Sequence, residues 1–381
     1  MTITSDDLDA AVAAGVMPAS QADALRNFVA GRADAPVSDG MEDERFRFMR
    51  GFNDFFFAVG VVLLGSAMLY YLGAAATANG AAHLALPILI WGAGAAICWE
   101  LSELLIRRMR LVLPGILLAG LFLIFVFLAT PAIDILYYLQ IPPQAGSHSV
   151  LANFKGIALS AFPLKALVAA IALVLFYARF RLPFTLLLIA GSLVVGVMAT
   201  TALFLPADVS GAFSDAVILL ICGLAIFAVA MRFDLSDRLR VTRRADCAFW
   251  LHLLAAPLIV HSLVSIVFLS VMPSGNPQGI EQAAGHIVGV TSAIILVLAL
   301  VAIIIDRRAL LISALTYLGA IVGYAVTHAV GKDTNVFFAT LLVLGILVLT
   351  LGVGWRWLRG LVLKLLPSAV VNRLPPVTIG S

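Results

Sequence analysis

The chain has 381 residues, of which 62% are hydrophobic and 12% charged, and its mean hydropathy is +1.08. Soluble globular chains carry roughly twice that share of charge, so a water-soluble enzyme or nucleic-acid binder is excluded as the main body of the molecule. The net charge is only +3. Its distribution along the chain follows membrane orientation and leaves no nucleic-acid footprint.

Residues 1–31 are expected to form a small soluble helical hairpin. Thr4 or Ser5 can cap a first helix, SDDLDAAVAA, whose first turn is acidic and whose stop is Gly15. Pro18 opens the second helix, which closes near Gly31. Leu8, Val12, Val16, Leu25 and Phe28 supply an apolar seam too small for an independent core. The hairpin is therefore expected to dock on the membrane domain or on a soluble or membrane protein partner. The acidic start MTITSDDLDAAVAAG lacks the build of a cleavable signal peptide. Residues 32–53 read as a polar linker followed by a headgroup-level helix, in which Arg45, Arg47 and Arg50 alternate with Phe46, Phe48 and Phe52.

Residues 54–357 read as a transmembrane domain of about ten spans: 54–72, 82–105, 111–130, 162–178, 183–204, 214–233, 247–271, 285–305, 309–330 and 334–357. Each approaches the ~20 apolar residues needed to cross a ~30 Å hydrocarbon core. Alternating the ends of these spans places 21 of the 24 basic residues, including every arginine, on one side. Only Lys155, Lys165 and Lys332 fall on the other. The positive-inside rule then puts both termini in the cytoplasm. Residues 358–381 are expected to start as a basic amphipathic surface helix and end as a proline-limited tail. The fold class is thus an all-α polytopic helical membrane protein with a small N-terminal hairpin, in a bacterial cytoplasmic (inner) membrane.

Ionisable side chains inside such spans are expensive and are functional candidates by default. His252 and His261 share the span that also holds Pro257. Nine residues separate them, ~13.5 Å and half a turn on a straight helix, so they point to opposite faces and cannot share one metal. Pro257 is expected to kink that helix. Glu100 and Glu103 share a face of the second span at i, i+3. Glu103 is within reach of Arg107 for a surface pair. Glu100 lies near the depth of His252, so a Glu100–His252 couple is the sharpest local expectation. The plainer reading is a histidine bonded to a neighbouring helix.

His83, His286 and His328 fall at outer span ends and His148 in the long outer loop. They lack a paired metal spacing such as HxxxH or HExxH, so no metal and no cofactor is expected. Gly285/Gly289 and Gly319/Gly323 form two GxxxG motifs, read as helix-packing positions. The cysteines Cys98, Cys222 and Cys247 make no CxxC motif. The absence of GxSxG, Walker A and zinc-protease motifs leaves an enzyme reading without support.

Ten spans with both ends inside can divide into two inverted halves of five, in which the Pro87/Glu100 span corresponds to the Pro257/histidine span. Interrupted helices at matching places point to a transport site. The segments LDAAVAAGVMPASQADAL, GFNDFFFAVGVVLLG and DCAFWLHLLAAPLIVH resemble an uncharacterised class of predicted bacterial membrane proteins, domain-of-unknown-function families with a short helical pair before many spans. The resemblance implies a cytoplasmic-membrane protein and carries over no activity and no catalytic residue. Three functions stay open: a small-solute or proton-coupled transporter using Glu100, His252 and His261; a non-catalytic scaffold or assembly partner; and a membrane enzyme or cofactor carrier using the outer histidines. The transporter ranks first.

Overall fold

A computed structural model describes residues 5–25, 52–78, 85–130, 150–204, 211–237, 242–271, 277–306, 309–330 and 336–367. The chain divides into two compact units. One comprises Met1–Arg47 with Thr378–Ser381, the other Phe48–Val377.

In the smaller unit, α1 spans Ser5–Ala13. Gly15 adopts a left-handed φ of 72°, and the Val16 N–H reaches back to the Ala11 carbonyl at 2.9 Å. Glycine takes this conformation without the Cβ penalty that other residues meet, which is why it serves as a helix stop. Helix resumes over 19–25, with the Ala22 N–H bonded to the Pro18 carbonyl. Residues 26–51 lie outside the described set, so the linker and headgroup-level helix do too.

The larger unit contains α2 (Phe52–Ala78), α3 (Ala85–Ser102), α4 (Leu113–Leu128), α5 (Val150–Phe180) and α6 (Phe184–Phe204). It continues with α7 (Ala212–Ser236), α8 (Arg243–Val271), α9 (Pro277–Ile305), α10 (Ala309–Val330) and α11 (Val336–Lys364). Among the described residues, eight helices are long and apolar enough to cross a membrane. The stretches Leu113–Leu128 and Tyr317–Thr327 are apolar but shorter. Side chains such as Leu63, Leu349 and Val353 are 67%, 70% and 88% exposed. In water each would carry a transfer penalty; against lipid tails it carries none. The many apolar helices make this a multi-pass membrane protein.

Several expected boundaries shift: α2 runs to Ala78 instead of residue 72, and α9 starts at Pro277 instead of residue 285. α5 begins at Val150, well before the expected start at residue 162, and contains Pro163. α11 runs on to Lys364, so the basic stretch after Trp357 extends the last helix through Lys364 instead of starting a separate one. Residues 368–381 lie outside the described set.

The first half is held by aromatic packing. α4 carries no charge, and neighbours surround it: α2, α3, α5 and α6. Leu118, Phe125, Leu173 and Phe176 are fully buried. The Trp99 ring meets Phe122 at 5.9 Å, Phe176 at 5.9 Å and Phe180 at 5.1 Å between centroids. Gly94 makes room for this core, because a Cβ there would come within 2.7 Å of the Phe125 ring. α8 occupies the corresponding central place in the second half, touching α6, α7, α9 and α10.

α3 ends in a π-helical turn, Glu103–Arg108. The chain reverses there through Arg110, with φ 57°, as it does after α5 through Arg181 (φ 50°) and after α9 through Asp306 (φ 59°). Each reversal replaces the usual glycine with a charged residue in the left-handed region, a conformation that costs roughly 1–2 kcal/mol per residue. Side-chain bonds gather these ends into neighbouring groups. Glu103 joins α3 to Arg179 of α5, Tyr177 joins α5 to Cys247 of α8, and Asp306 joins α9 to Arg359 of α11.

Candidate functional site

The α7–α8 hairpin positions the most deeply buried ionisable pair among the described residues. The two helices approach closely because small residues line the seam: Ala230, Ala248 and Ala255 are fully buried. At Gly223 a Cβ would lie 2.9 Å from Ile259 Cγ1 and 3.2 Å from the Ile259 backbone nitrogen. The hairpin is pinned at its turn by Asp237, whose carboxylate accepts from the Thr242 N–H at 2.9 Å and from the Thr242 hydroxyl at 2.6 Å.

Inside this hairpin, His252 Nε2 donates to Asp234 Oδ2 at 2.9 Å. His252 is 0% exposed and Asp234 5%. Asp234 sits two residues before the end of α7. His252 is nine residues into α8, ~13.5 Å along the axis. The Phe227 ring covers the imidazole edge-on at 5.2 Å. Nδ1 of His252 has no hydrogen-bond partner among the described residues. With Nε2–H donated to a carboxylate, Nδ1 is the open lone pair of a neutral ring. A proton added there makes an imidazolium beside a carboxylate and breaks no existing bond.

Glu100 does not take part. It is exposed on α3, a helix that packs mainly on α2 and α4, and it makes no side-chain bond among the described residues. The expected Glu100–His252 couple is thus corrected to Asp234–His252. α3 and α8 are not principal neighbours, and the α7–α8 hairpin supplies a closer carboxylate. Glu103 bonds Arg107 Nη1 at 2.9 Å and Arg179 Nε at 2.6 Å, an exposed clasp at the helix ends.

His261 lies on the other face of α8, exposed, with Nδ1 2.6 Å from the Tyr317 hydroxyl of α10. The half turn between the two rings therefore assigns them to different neighbours, α7 for His252 and α10 for His261. Pro257 lies exposed within a continuous α8. Gly319 and Gly323 face α11, where a Cβ would meet Leu344 at 3.8 Å and Thr340 at 3.6 Å. Gly285 and Gly289 have nothing within 4 Å of that position, so the two GxxxG motifs do not close on one another.

A second polar group lies beyond Phe227, whose ring also packs on the buried cluster of Ala256, Ala302, Ile303 and Trp355. Trp355 Nε1 donates to Asp306 Oδ1 at 2.8 Å, and Arg359 Nη1 lies 3.4 Å from Asp306 Oδ2. Asp54, at the start of α2, is also buried, 2% exposed. Sequence reasoning passed over Asp234, Asp306, Arg359 and Asp54. Each carboxylate stands within a few residues of arginines at a helix end, where charge is ordinarily solvated. The segment MRFDLSD puts Asp234 between Arg232 and Asp237 at the end of the expected span, so nothing in it marks a buried carboxylate.

Two surface clefts are apolar. One of about 750 Å³ runs along α11 past Ile346, Thr350 and Gly354, and one of about 500 Å³ lies between α5 and α6. Neither includes Glu100, His252 or His261. Among the described residues no three His, Cys, Asp or Glu side chains gather as a metal site. His83 and His148 lie outside the described residues, and the side chains of His286 and His328 are not described. No family model, curated protein or solved structure matches the chain.

Proposed function

We propose that this protein is a proton-coupled transporter of a small solute in the bacterial cytoplasmic membrane, with ten spans and both termini in the cytoplasm. The Asp234–His252 pair is the observation that supports this reading. Burying a carboxylate and an imidazole among apolar helices costs free energy that a hydrophobic replacement of equal volume does not, so a purely structural bundle gains little from the pair. The pair has the chemistry of a proton carrier: an open lone pair on Nδ1, a carboxylate to hold the resulting imidazolium, and a position between two helices. Relative movement of α7 and α8 would make and break the Asp234–His252 bond, and so couple protonation to conformation. His261 with Tyr317 offers a second exchangeable group on the α10 face, and Glu100 an outlying carboxylate on α3.

The test is proton movement in vesicles. Purified protein is reconstituted with entrapped pyranine and given a membrane potential. Wild type takes up protons, and His252→Ala and Asp234→Asn each lose that uptake while melting cooperatively. Uptake in both variants at the wild-type rate defeats the assignment.

The alternative is a membrane scaffold that engages a protein partner through residues 1–31. It is favoured by the absence of the three candidate residues from both clefts. It predicts no proton flux in wild type and the loss of a co-purifying protein when residues 1–31 are removed.

A further inference from the structure

We propose that the α5–α6 turn and the start of α8 together bind the headgroup of an anionic phospholipid. The Tyr177 hydroxyl lies 3.8 Å from Cys247 Sγ, which sets the end of α5 beside the start of α8. Arg181 stands in the left-handed turn after α5, its backbone N–H bonded to the Tyr177 carbonyl at 2.7 Å. Arg243 is the first residue of α8. Arg181 follows Tyr177 by four residues and Arg243 precedes Cys247 by four, so both arginines flank this contact. Both are exposed, and neither has an ion pair or side-chain hydrogen bond among the described residues. Arg179, two residues from Arg181, shows the alternative, since it is engaged by Glu103. Asp246, the one carboxylate in the first turn of α8, leaves this end basic.

A phosphodiester spreads one negative charge over two oxygens. Two planar guanidinium forks and a phenolic O–H offer donors in the number and geometry that such a group accepts. Two features select a lipid over a soluble phosphate. Ile171, Val174 and Leu175 of α5 are 54%, 50% and 60% exposed and run back from this end as a path for acyl chains. Phe184 at the start of α6 and Trp250 in the second turn of α8 meet edge to face at 4.7 Å between centroids, the aromatic placement usual at a membrane interface. Basic pockets between helix ends are the pattern that holds anionic headgroups. This surface is separate from the Asp234–His252 pair, and its test does not depend on transport.

The experiment is native mass spectrometry of the full-length protein in detergent, titrated with phosphatidylglycerol or phosphatidylcholine. Wild type should retain phosphatidylglycerol selectively. The Arg181→Gln/Arg243→Gln double variant should bind it roughly tenfold more weakly, the loss of a charge-assisted hydrogen bond. Arg108→Gln/Arg110→Gln, which removes the same charge from the α3–α4 turn, should bind as wild type does. Tyr177→Phe should weaken binding about threefold, and it carries the decision if the double variant does not fold. Equal losses in the two double variants would reduce the effect to general rim charge and overturn the proposal. So would undiminished binding in Arg181→Gln/Arg243→Gln, undiminished binding in Tyr177→Phe, or displacement of the lipid by inorganic phosphate.

Discussion

The two halves of the membrane unit face the same solvent and are held together differently. In α2–α6 the interior is aromatic and aliphatic, centred on Phe122, Phe125, Phe176 and Leu118, and the Glu103–Arg107–Arg179 clasp stays exposed at the helix ends. In α7–α11 the described apolar cluster is small, Ala256, Ala302, Ile303 and Trp355, and bonded charges lie beside it. Lipid removes most of the hydrophobic driving force between helices. What remains is close packing, which the first half uses, and internal polar bonding, which the second half adds. The first half also buries a carboxylate, Asp54 at the start of α2, but the carboxylate–imidazole pair Asp234–His252 lies in the second, so the proposed chemistry is assigned there.

The largest effect should come from emptying the aromatic core. Phe176→Ala would cost about 2–4 kcal/mol, the packing share of a buried Phe→Ala change once the transfer share is reduced by lipid. Thermal unfolding in detergent checks this, and proton uptake per folded molecule should be unchanged. Next, Asp234→Ala leaves the His252 Nε2–H buried without an acceptor, at about 1–3 kcal/mol. A double-mutant cycle with His252→Ala should return a coupling of about 0.5–3 kcal/mol; a coupling of zero would erase the contrast between the halves. Trp355→Phe removes the Nε1–H donor to Asp306 and shrinks a buried ring, at a combined cost of about 1–3 kcal/mol. Smallest of all, Glu103→Gln should leave the melting temperature where it was, since exposed ion pairs add little. A large loss there would show that the first half also relies on charge.

The pattern of these results follows from which features are local. Apolar runs interrupted by arginine clusters are readable one window at a time, and each expected span overlaps a helix, though among the described residues eight helices are long and apolar enough to cross a membrane. Even the half-turn between His252 and His261 followed from their spacing, because helical periodicity is a local property. The failures concern partners. Counting residues along the chain pairs Glu100 with His252 by depth, a one-dimensional coordinate, yet the closing carboxylate came from the preceding helix, eighteen residues away. Asp306 and Trp355 are 49 residues apart, and nothing in either neighbourhood announces the other. The GxxxG motifs show the same limit, since Gly319 and Gly323 meet α11 while the close hairpin is built on Gly223 and buried alanines.

By itself the sequence determined the medium and the helical class, because apolarity over about twenty residues leaves a chain in lipid only the helix as a way to bond its backbone. It also determined which ends carry the arginines. Tertiary structure alone decided that Asp234 closes on His252, that Glu103 also reaches Arg179, and that the end of α5 lies beside the start of α8. Such pairings depend on which helices become neighbours and by how much they are rotated, and small differences in packing outweigh any signal a single segment carries.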